Sequence, residues 1–410
     1  MTLTTTTTDS WIRELFSDRA VRTGPGMVGI DPKDSAKVIA FGGGYPDASS
    51  LPIQDIIESS RIALERDGEW ALQYAFGSGV PELVDVLLDK LRHDQGITAS
   101  TENVLITNGA SQALGLIFEA FVNPGDTIIS EAPFFLGAVH RCRASGARVE
   151  EISLNDDGLD VEELRKTLDR LKTEGRQAKF LYLVPNFQNP TGITYSEARR
   201  RDIIELCQVH GVMILEDDAY YDLRFEGEPV PTFYSLAVTE GLVMYCGTFS
   251  KIIGAGMRLG WVIAHPTIIA HLSGLKTDAG TPAFASHVVA EFTGSGTLTE
   301  HIVTLKNVYR HRRDVMLGEL ERTMPSGTSW TNPTGGFFIW LTLPEGVNCQ
   351  AVAAGGMEQG LQVGLGTNFF TTGKGERNVR LSYSFNDDDE IRKGVEILAN
   401  VICDHLDNRE

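Results

Sequence analysis

One lysine sits where this sequence can do covalent chemistry. In Thr248-Phe249-Ser250-Lys251-Ile252-Ile253-Gly254-Ala255-Gly256-Met257-Arg258-Leu259-Gly260-Trp261, the preceding apolar run Val243-Met244-Tyr245-Cys246 empties into small hydroxyl residues, the lysine and a glycine-rich bend that an arginine closes. A lysine ammonium that is desolvated, or set near another cation, loses its proton easily, and the free amine can form a Schiff base with an aldehyde cofactor. Thr248, Ser250 and Arg258 then offer hydroxyl and bidentate guanidinium contacts to a phosphate on that cofactor. Taken alone, the Ser-Lys pair reads more readily as a surface lysine after a strand. The rest of the chain decides between the two readings.

Four more strand ends carry complementary chemistry. Thr107-Asn108-Gly109-Ala110-Ser111-Gln112 runs from a strand through glycine into a helix, a turn that aims backbone N–H groups and the positive end of a helix dipole at an anion; an ordinary capped helix start looks the same. Glu131-Ala132-Pro133-Phe134-Phe135 places an aromatic ring, Phe135, where a flat cofactor can stack, although core packing explains a phenylalanine equally well. Val184-Pro185-Asn186-Phe187-Gln188-Asn189-Pro190-Thr191-Gly192 ends a buried strand in a proline-locked polar loop, from which a carboxamide can donate to a phenolate oxygen. In Ile214-Leu215-Glu216-Asp217-Asp218-Ala219-Tyr220-Tyr221, three acids close an apolar strand. They read as helix caps, as a solvated edge, or as a carboxylate that keeps a pyridine nitrogen protonated, with Tyr220 reaching the ring from another side.

The elements that must position these groups are short apolar strands, 104–107, 127–130, 180–184 and 212–215, alternating with helical stripes such as Val80, Leu83, Leu87 and Leu91, or Val161, Leu164, Leu168 and Leu171. Ile53, Ile56, Ile57 and Leu64 form another such stripe. This alternation predicts an α/β protein with a mostly parallel sheet covered on both faces and a ligand at the carboxyl ends of its strands. After about residue 290 the pattern changes to a long helix through Tyr309 and Met316 and a strand in Gly335–Leu341. The expected organisation is an N-terminal arm with part of a small domain (1–50), a large domain (51–290) and a small α+β domain (291–410).

Composition narrows the function classes. The 410 residues carry a net charge of -19, which disfavours nucleic-acid and anionic-membrane partners. No apolar run reaches the roughly 18 residues of a membrane span, and Met1–Asp9 does not read as a signal peptide, so a cytoplasmic location is expected. Five dispersed cysteines predict no disulfides, and nine histidines without ligand spacing predict no metal.

With these motifs in this order, the chain resembles the fold-type I, pyridoxal-phosphate-dependent aminotransferases of class I/II, within them the aminoadipate and kynurenine aminotransferase branch. The resemblance runs from Phe16-Ser17-Asp18-Arg19-Ala20 to Arg380-Leu381-Ser382-Tyr383-Ser384. It implies a seven-stranded-type large sheet, with pyridoxal 5′-phosphate bound by Lys251. Asp217 then meets the pyridine nitrogen, Asn189 and Tyr220 the ring hydroxyl oxygen, and Phe135 the ring face. Ala110, Ser111, Thr248, Ser250 and Arg258 hold the phosphate. Arg380 matches the arginine that grips the substrate α-carboxylate, Gly44 and Tyr45 match the loop over the substrate, and Tyr74 matches a tyrosine that reaches the neighbouring subunit's phosphate, which implies a homodimer with shared sites.

Two departures stand out. Ala110-Ser111 replaces a more common Ser-Gln, removing one side-chain contact but keeping the backbone cradle. Gly29 replaces an arginine found in relatives that accept an acidic side chain, so aromatic or branched aliphatic donors are expected to outperform 2-aminoadipate, with Arg19 or Arg22 able to move in for glutamate. The expected reaction moves an amino group from an L-amino acid to a 2-oxo acid. A lyase, decarboxylase or oxidase on the same scaffold is the enzymatic alternative, and a ligand-sensing domain the non-enzymatic one.

Overall fold

The computed structural model describes residues 11–24, 38–75 and 77–407; Gly29 lies outside them. In chain order the strands are β1 (Ile39–Ala40), β2 (Val104–Thr107), β3 (Thr127–Ala132), β4 (Arg148–Asn155), β5 (Gly158–Leu159), β6 (Ala178–Leu183), β7 (Met213–Asp217), β8 (Val243–Thr248), β9 (Gly260–Ile263), β10 (Ser329–Trp330), β11 (Phe338–Thr342), β12 (Leu361–Gln362), β13 (Gly364–Leu365) and β14 (Asn378–Ser382).

The apolar runs read from the sequence become the middle of one sheet, ordered β2-β9-β8-β7-β6-β3-β4-β5. Pairing from β8 through β7, β6 and β3 to β4 is parallel, while β9 runs against both β8 and β2. The seven longer strands are those the resemblance implies; an eighth, two-residue β5 turns back on β4. Every residue of β3 and β8 is buried, as parallel strands covered on both faces require. Alternation along β6 divides the two cores, with Phe180 and Tyr182 in one and Leu181 and Leu183 in the other.

Helices cover the sheet through the predicted stripes. Leu83, Val84, Leu87, Leu88 and Leu91 of the helix Pro81–Gln95 are buried, whereas the stripe of Ile53–Asp67 behaves differently. Ile53 and Ile57 are 58% and 57% exposed, so they are left uncovered among the described residues. The long helix Thr297–Thr323 leads to an antiparallel sheet, β10-β11-β14-β13. The N-terminal segment joins this part of the molecule, because β1 pairs in parallel with β12. The short helix Asp18–Thr23 packs instead on the helix Leu136–Ser145, where Arg22 Nη2 donates to Ala144 O at 3.1 Å.

One tight junction lies at the start of β9. A Cβ on Gly260 would stand 2.6 Å from Ala110 N and 2.8 Å from Gly247 O, backbone atoms that cannot step aside. Glycine here lets β9 lie against both the helix start at 110 and β8. Gly260→Ala is therefore expected to destabilise the fold by about 1–3 kcal/mol, the usual cost of overpacking, and chemical denaturation measures it.

Candidate active site

The carboxyl ends of β2, β3, β6, β7 and β8 converge on a cavity of about 290 Å³. Twelve of the fourteen residues singled out from sequence line it: Gly44, Ala110, Ser111, Phe135, Asn189, Asp217, Tyr220, Thr248, Ser250, Lys251, Arg258 and Arg380. A cleft of about 450 Å³ lies beyond Ser111, bordered by Arg19, Arg141 and Lys276, but Lys251 and the acids Glu216, Asp217 and Asp218 are not part of it. The smaller cavity carries the convergent chemistry.

One end of the cavity is built for an anion. Gly109, at φ 72°, turns the chain into the helix Ala110–Phe121, whose first N–H groups have no intrahelical acceptor. Arg258, itself in the left-handed region at φ 53°, brings its guanidinium over this turn; Nη2 donates to Asn108 O at 3.3 Å and would be 2.8 Å from a Cβ on Gly109. Opposite, Thr248 Oγ1 accepts from Ser250 N at 3.1 Å and donates to Ser250 Oγ at 2.9 Å, which fixes both hydroxyls.

Lys251 Nζ donates to Gly44 O at 2.8 Å. Burial, reinforced by Arg380 and Arg258 and opposed by Asp217, brings its pKa down to about 8, so the amine gives up its proton far more readily than an ordinary lysine. The three acids of the β7 end take separate tasks because successive side chains leave a strand on opposite faces. Glu216 accepts from the N–H groups of Phe233 and Tyr234 at 2.9 and 3.0 Å, a helix cap, and Asp218 accepts from Asn186 Nδ2 at 2.9 Å. Asp217 alone lines the cavity. Tyr182 donates to its Oδ2 at 2.8 Å, its buried Oδ1 has no hydrogen-bond partner, and burial raises its pKa to about 6.

Arg380, on β14, reaches across from the smaller sheet. Its guanidinium lies 4.2 Å from the centroid of Phe338 and 4.9 Å from that of Phe369. Nη1 donates to Asn189 Oδ1 at 2.8 Å and Nη2 to Gly42 O, while the buried Nε has no partner. Burial lowers its pKa to about 10, still cationic at neutral pH. Tyr220 is buried against the edges of Phe337 and Phe338; burial raises its pKa, with Arg380 opposing, so it remains a neutral donor. Phe135 turns its ring over Gly137, where a Cβ would come within 2.4 Å of it.

Two expected residues do not line the cavity. Tyr45 packs edge-on against Phe385, and its carbonyl accepts from Ser384 Oγ at 2.6 Å. Tyr74 is 69% exposed.

Sequence reading missed the framework beneath the loops. Glu131, buried and with its pKa raised by that burial to about 8, accepts from Val184 N and Gln188 Nε2, both at 2.9 Å, and from the Tyr195 hydroxyl. Gln188 also holds Pro133 O and Thr191, locking the Asn189 loop to the Phe135 loop. Arg200, wholly buried, donates to Tyr195 O, Pro185 O, Pro231 O and Asn186 Oδ1. An arginine inside the helix Glu197–His210 on a face shared with Ile203, Ile204 and Cys207 was the available signal.

Comparison with known proteins agrees with this geometry. The profile of the family described as aminotransferase class I and II matches residues 36–398. The chain is 36% identical over 375 residues to aromatic-amino-acid aminotransferase 1 of Thermococcus litoralis, covering 91% of this chain and 90% of that one. Among solved structures it is similar to Pyrococcus horikoshii kynurenine aminotransferase, a complex with PMP (TM-score 0.90, 34% identity, 96% of this chain and 98% of that one). It is also similar to the alpha-aminoadipate aminotransferase LysN of Thermus thermophilus, complexed with N-(5′-phosphopyridoxyl)-L-leucine (TM-score 0.89, 30% identity, 97% and 99%). With its cavity at the strand ends and a match over most of its length, this chain belongs to the class I and II aminotransferase family.

Proposed function

We propose that the chain moves an amino group from an L-α-amino acid to a 2-oxo acid, using pyridoxal 5′-phosphate, and that the twelve cavity residues divide the work as their chemistry dictates. The observation that carries this reading is the grouping, in one cavity, of a lysine with a lowered pKa, a buried carboxylate with an unsatisfied oxygen and a buried arginine with an unsatisfied N–H. The cofactor fits these groups: Asp217 Oδ1 needs a proton donor such as a pyridinium, and the helix start at Ala110 needs an anion.

Bound there, the cofactor supplies an aldehyde that takes up the amino group and a protonated ring that absorbs the electron pair released at the α-carbon. The protein does the rest. The N–H groups of Ala110 and Ser111, the hydroxyls of Ser111, Thr248 and Ser250, and Arg258 bind the phosphate. Phe135 stacks on the ring, Asn189 and Tyr220 donate to its hydroxyl oxygen, and Asp217 holds a proton on its nitrogen. Arg380 takes the substrate α-carboxylate in its planar fork. Lys251, with its amine free, carries a proton between the substrate α-carbon and the cofactor C4′ position. The two substrates use the site in turn, in a ping-pong cycle.

The donor class follows from charge. Among the described residues the cavity is lined by three cations, Lys251, Arg258 and Arg380, and each has a task. A second carboxylate would be buried without a partner, at a cost of about several kcal/mol. Leu136 and Phe338 offer apolar wall instead, backed by Trp340, Phe369 and Phe370. Arg19 and Arg22 sit outside the cavity on the helix Asp18–Thr23, so glutamate requires one of them to move.

The assembly we propose is a homodimer. Trp70, Leu72 and Tyr74 are each about 70% exposed. They lie beside the uncovered stripe of Ile53–Asp67, a patch of the kind that marks a protein interface. Tyr74 then serves the partner's phosphate site rather than its own. Because the helix Ala283–Gly294 packs on Ile53–Asp67 and Pro81–Gln95, we assign it to the larger domain and place the division near 295. Cytoplasmic residence is supported by five free thiols. No helix among the described residues is long and apolar enough to cross a membrane.

Three measurements check these readings. Adding an L-amino acid to the cofactor-loaded protein is expected to convert its visible absorbance from the aldehyde to the amine form. Lys251→Ala is expected to lower the rate of that half-reaction at least a thousandfold, since covalent and proton-transfer roles are lost together; near-normal turnover sinks the assignment. Specificity constants should favour phenylalanine, leucine or methionine over 2-aminoadipate, and the reverse order would mean that a further cation reaches the cavity. Sedimentation is expected to give a dimer that Trp70→Glu weakens, whereas a stable, active monomer refutes it.

A further inference from the structure

Tyr182 occupies a place in β6 where packing alone asks for a phenylalanine. It is 1% exposed, its ring meets Phe134 edge-on at 6.1 Å, and its neighbours in the strand are Leu181 and Leu183. A phenol this deep must satisfy its O–H, and it does so on Asp217 Oδ2 at 2.8 Å. The carboxylate is left with Oδ1 unpartnered in a residue that lines the cavity.

We infer that Tyr182 is a positioning residue for amino transfer: its hydroxyl clamps one oxygen of Asp217, fixing the carboxylate as a charged acceptor whose other oxygen is reserved for the cofactor ring nitrogen. This rests on the reading of Asp217 as the partner of that nitrogen. The groups facing Asp217 leave the task to Tyr182. Glu131 on β3 is occupied in accepting from Val184 N, Gln188 Nε2 and the Tyr195 hydroxyl and offers Asp217 no donor, while burial raises its pKa. Cys246, opposite Asp217 on β8, is a thiol whose pKa burial raises, and Tyr220 is a neutral phenol. Lys251 favours the charged form through its positive charge. Among the described residues Tyr182 alone donates a hydrogen bond to its side chain, and a donor to the anion lowers the proton affinity of a carboxylate that burial would otherwise raise further.

The sign of the effect follows. Without the hydroxyl, Asp217 holds its own proton more tightly and competes with the ring nitrogen for it. A ring that loses its positive charge no longer repels a proton on the nitrogen that Lys251 contributes, so that nitrogen stays protonated to higher pH. Tyr182→Phe removes one atom and keeps the ring against Phe134. Loaded with pyridoxal 5′-phosphate, it is expected to show the pH midpoint of its visible absorption raised by about one unit, in line with one charge-assisted hydrogen bond, and to release cofactor faster on dilution. Asp217→Asn, titrated alongside, is expected to move the midpoint at least as far. If Asp217→Asn moves it and Tyr182→Phe does not, Tyr182 is only packing and the inference falls. If neither moves it, the role given to Asp217 fails first, and this inference with it.

Discussion

A carboxylate withdrawn from water with one oxygen unanswered is the constraint on which the cavity depends. Asp217 is held at the end of β7 by a buried sheet; its neighbour Glu216 is consumed in capping a helix, and Asp218, which does not line the cavity, holds Asn186 through one oxygen and leaves the other unpartnered. Strand alternation separates the three, so that one acid faces the cavity while those on either side serve the scaffold. Desolvation makes that acid costly unless a positive or proton-bearing group meets it. The cavity is thus shaped to demand a ligand of that kind.

The same logic governs its cations. Lys251, Arg258 and Arg380 stand around one small volume, and the two arginines help to depress the lysine's proton affinity. A phosphate at Arg258 and a carboxylate at Arg380 would each cancel one of these charges. The lysine's acidity is therefore tied to what occupies either end, and the site is tuned by its ligands as much as by its residues. Holding these charges in register falls to Glu131, Gln188 and Arg200, which bind the loops from below.

The groups at strand ends were legible in the sequence because each sits in a compact local pattern: Lys251 and Arg258 within eight positions, Asn189 beside its proline, Asp217 closing an apolar run. The alternating sheet was legible for the same reason, since periodicity is local. Tyr182 was readable only as part of a strand, because its bond to Asp217 spans 35 positions and leaves no mark in spacing. Arg200 and Glu131 were hidden likewise. The stripe of Ile53–Asp67 announced a helix but not what it faces; an amphipathic pattern states that a face wants cover without naming the cover.

Gly42 and Gly44 contribute carbonyl oxygens to Arg380 and Lys251 respectively, so one stretch of backbone occupies both of the groups an amino acid would engage. This segment behaves as an internal competitor. A ligand arriving at Arg380 finds Nε unpartnered and, at Nη2, trades a neutral carbonyl for its own group. A carboxylate gains from that exchange because its hydrogen bonds are charge-assisted; a simple amine or a neutral amide gains little. Two backbone oxygens of one segment thus set the terms on which any ligand meets this arginine and this lysine, whatever side chain that ligand carries.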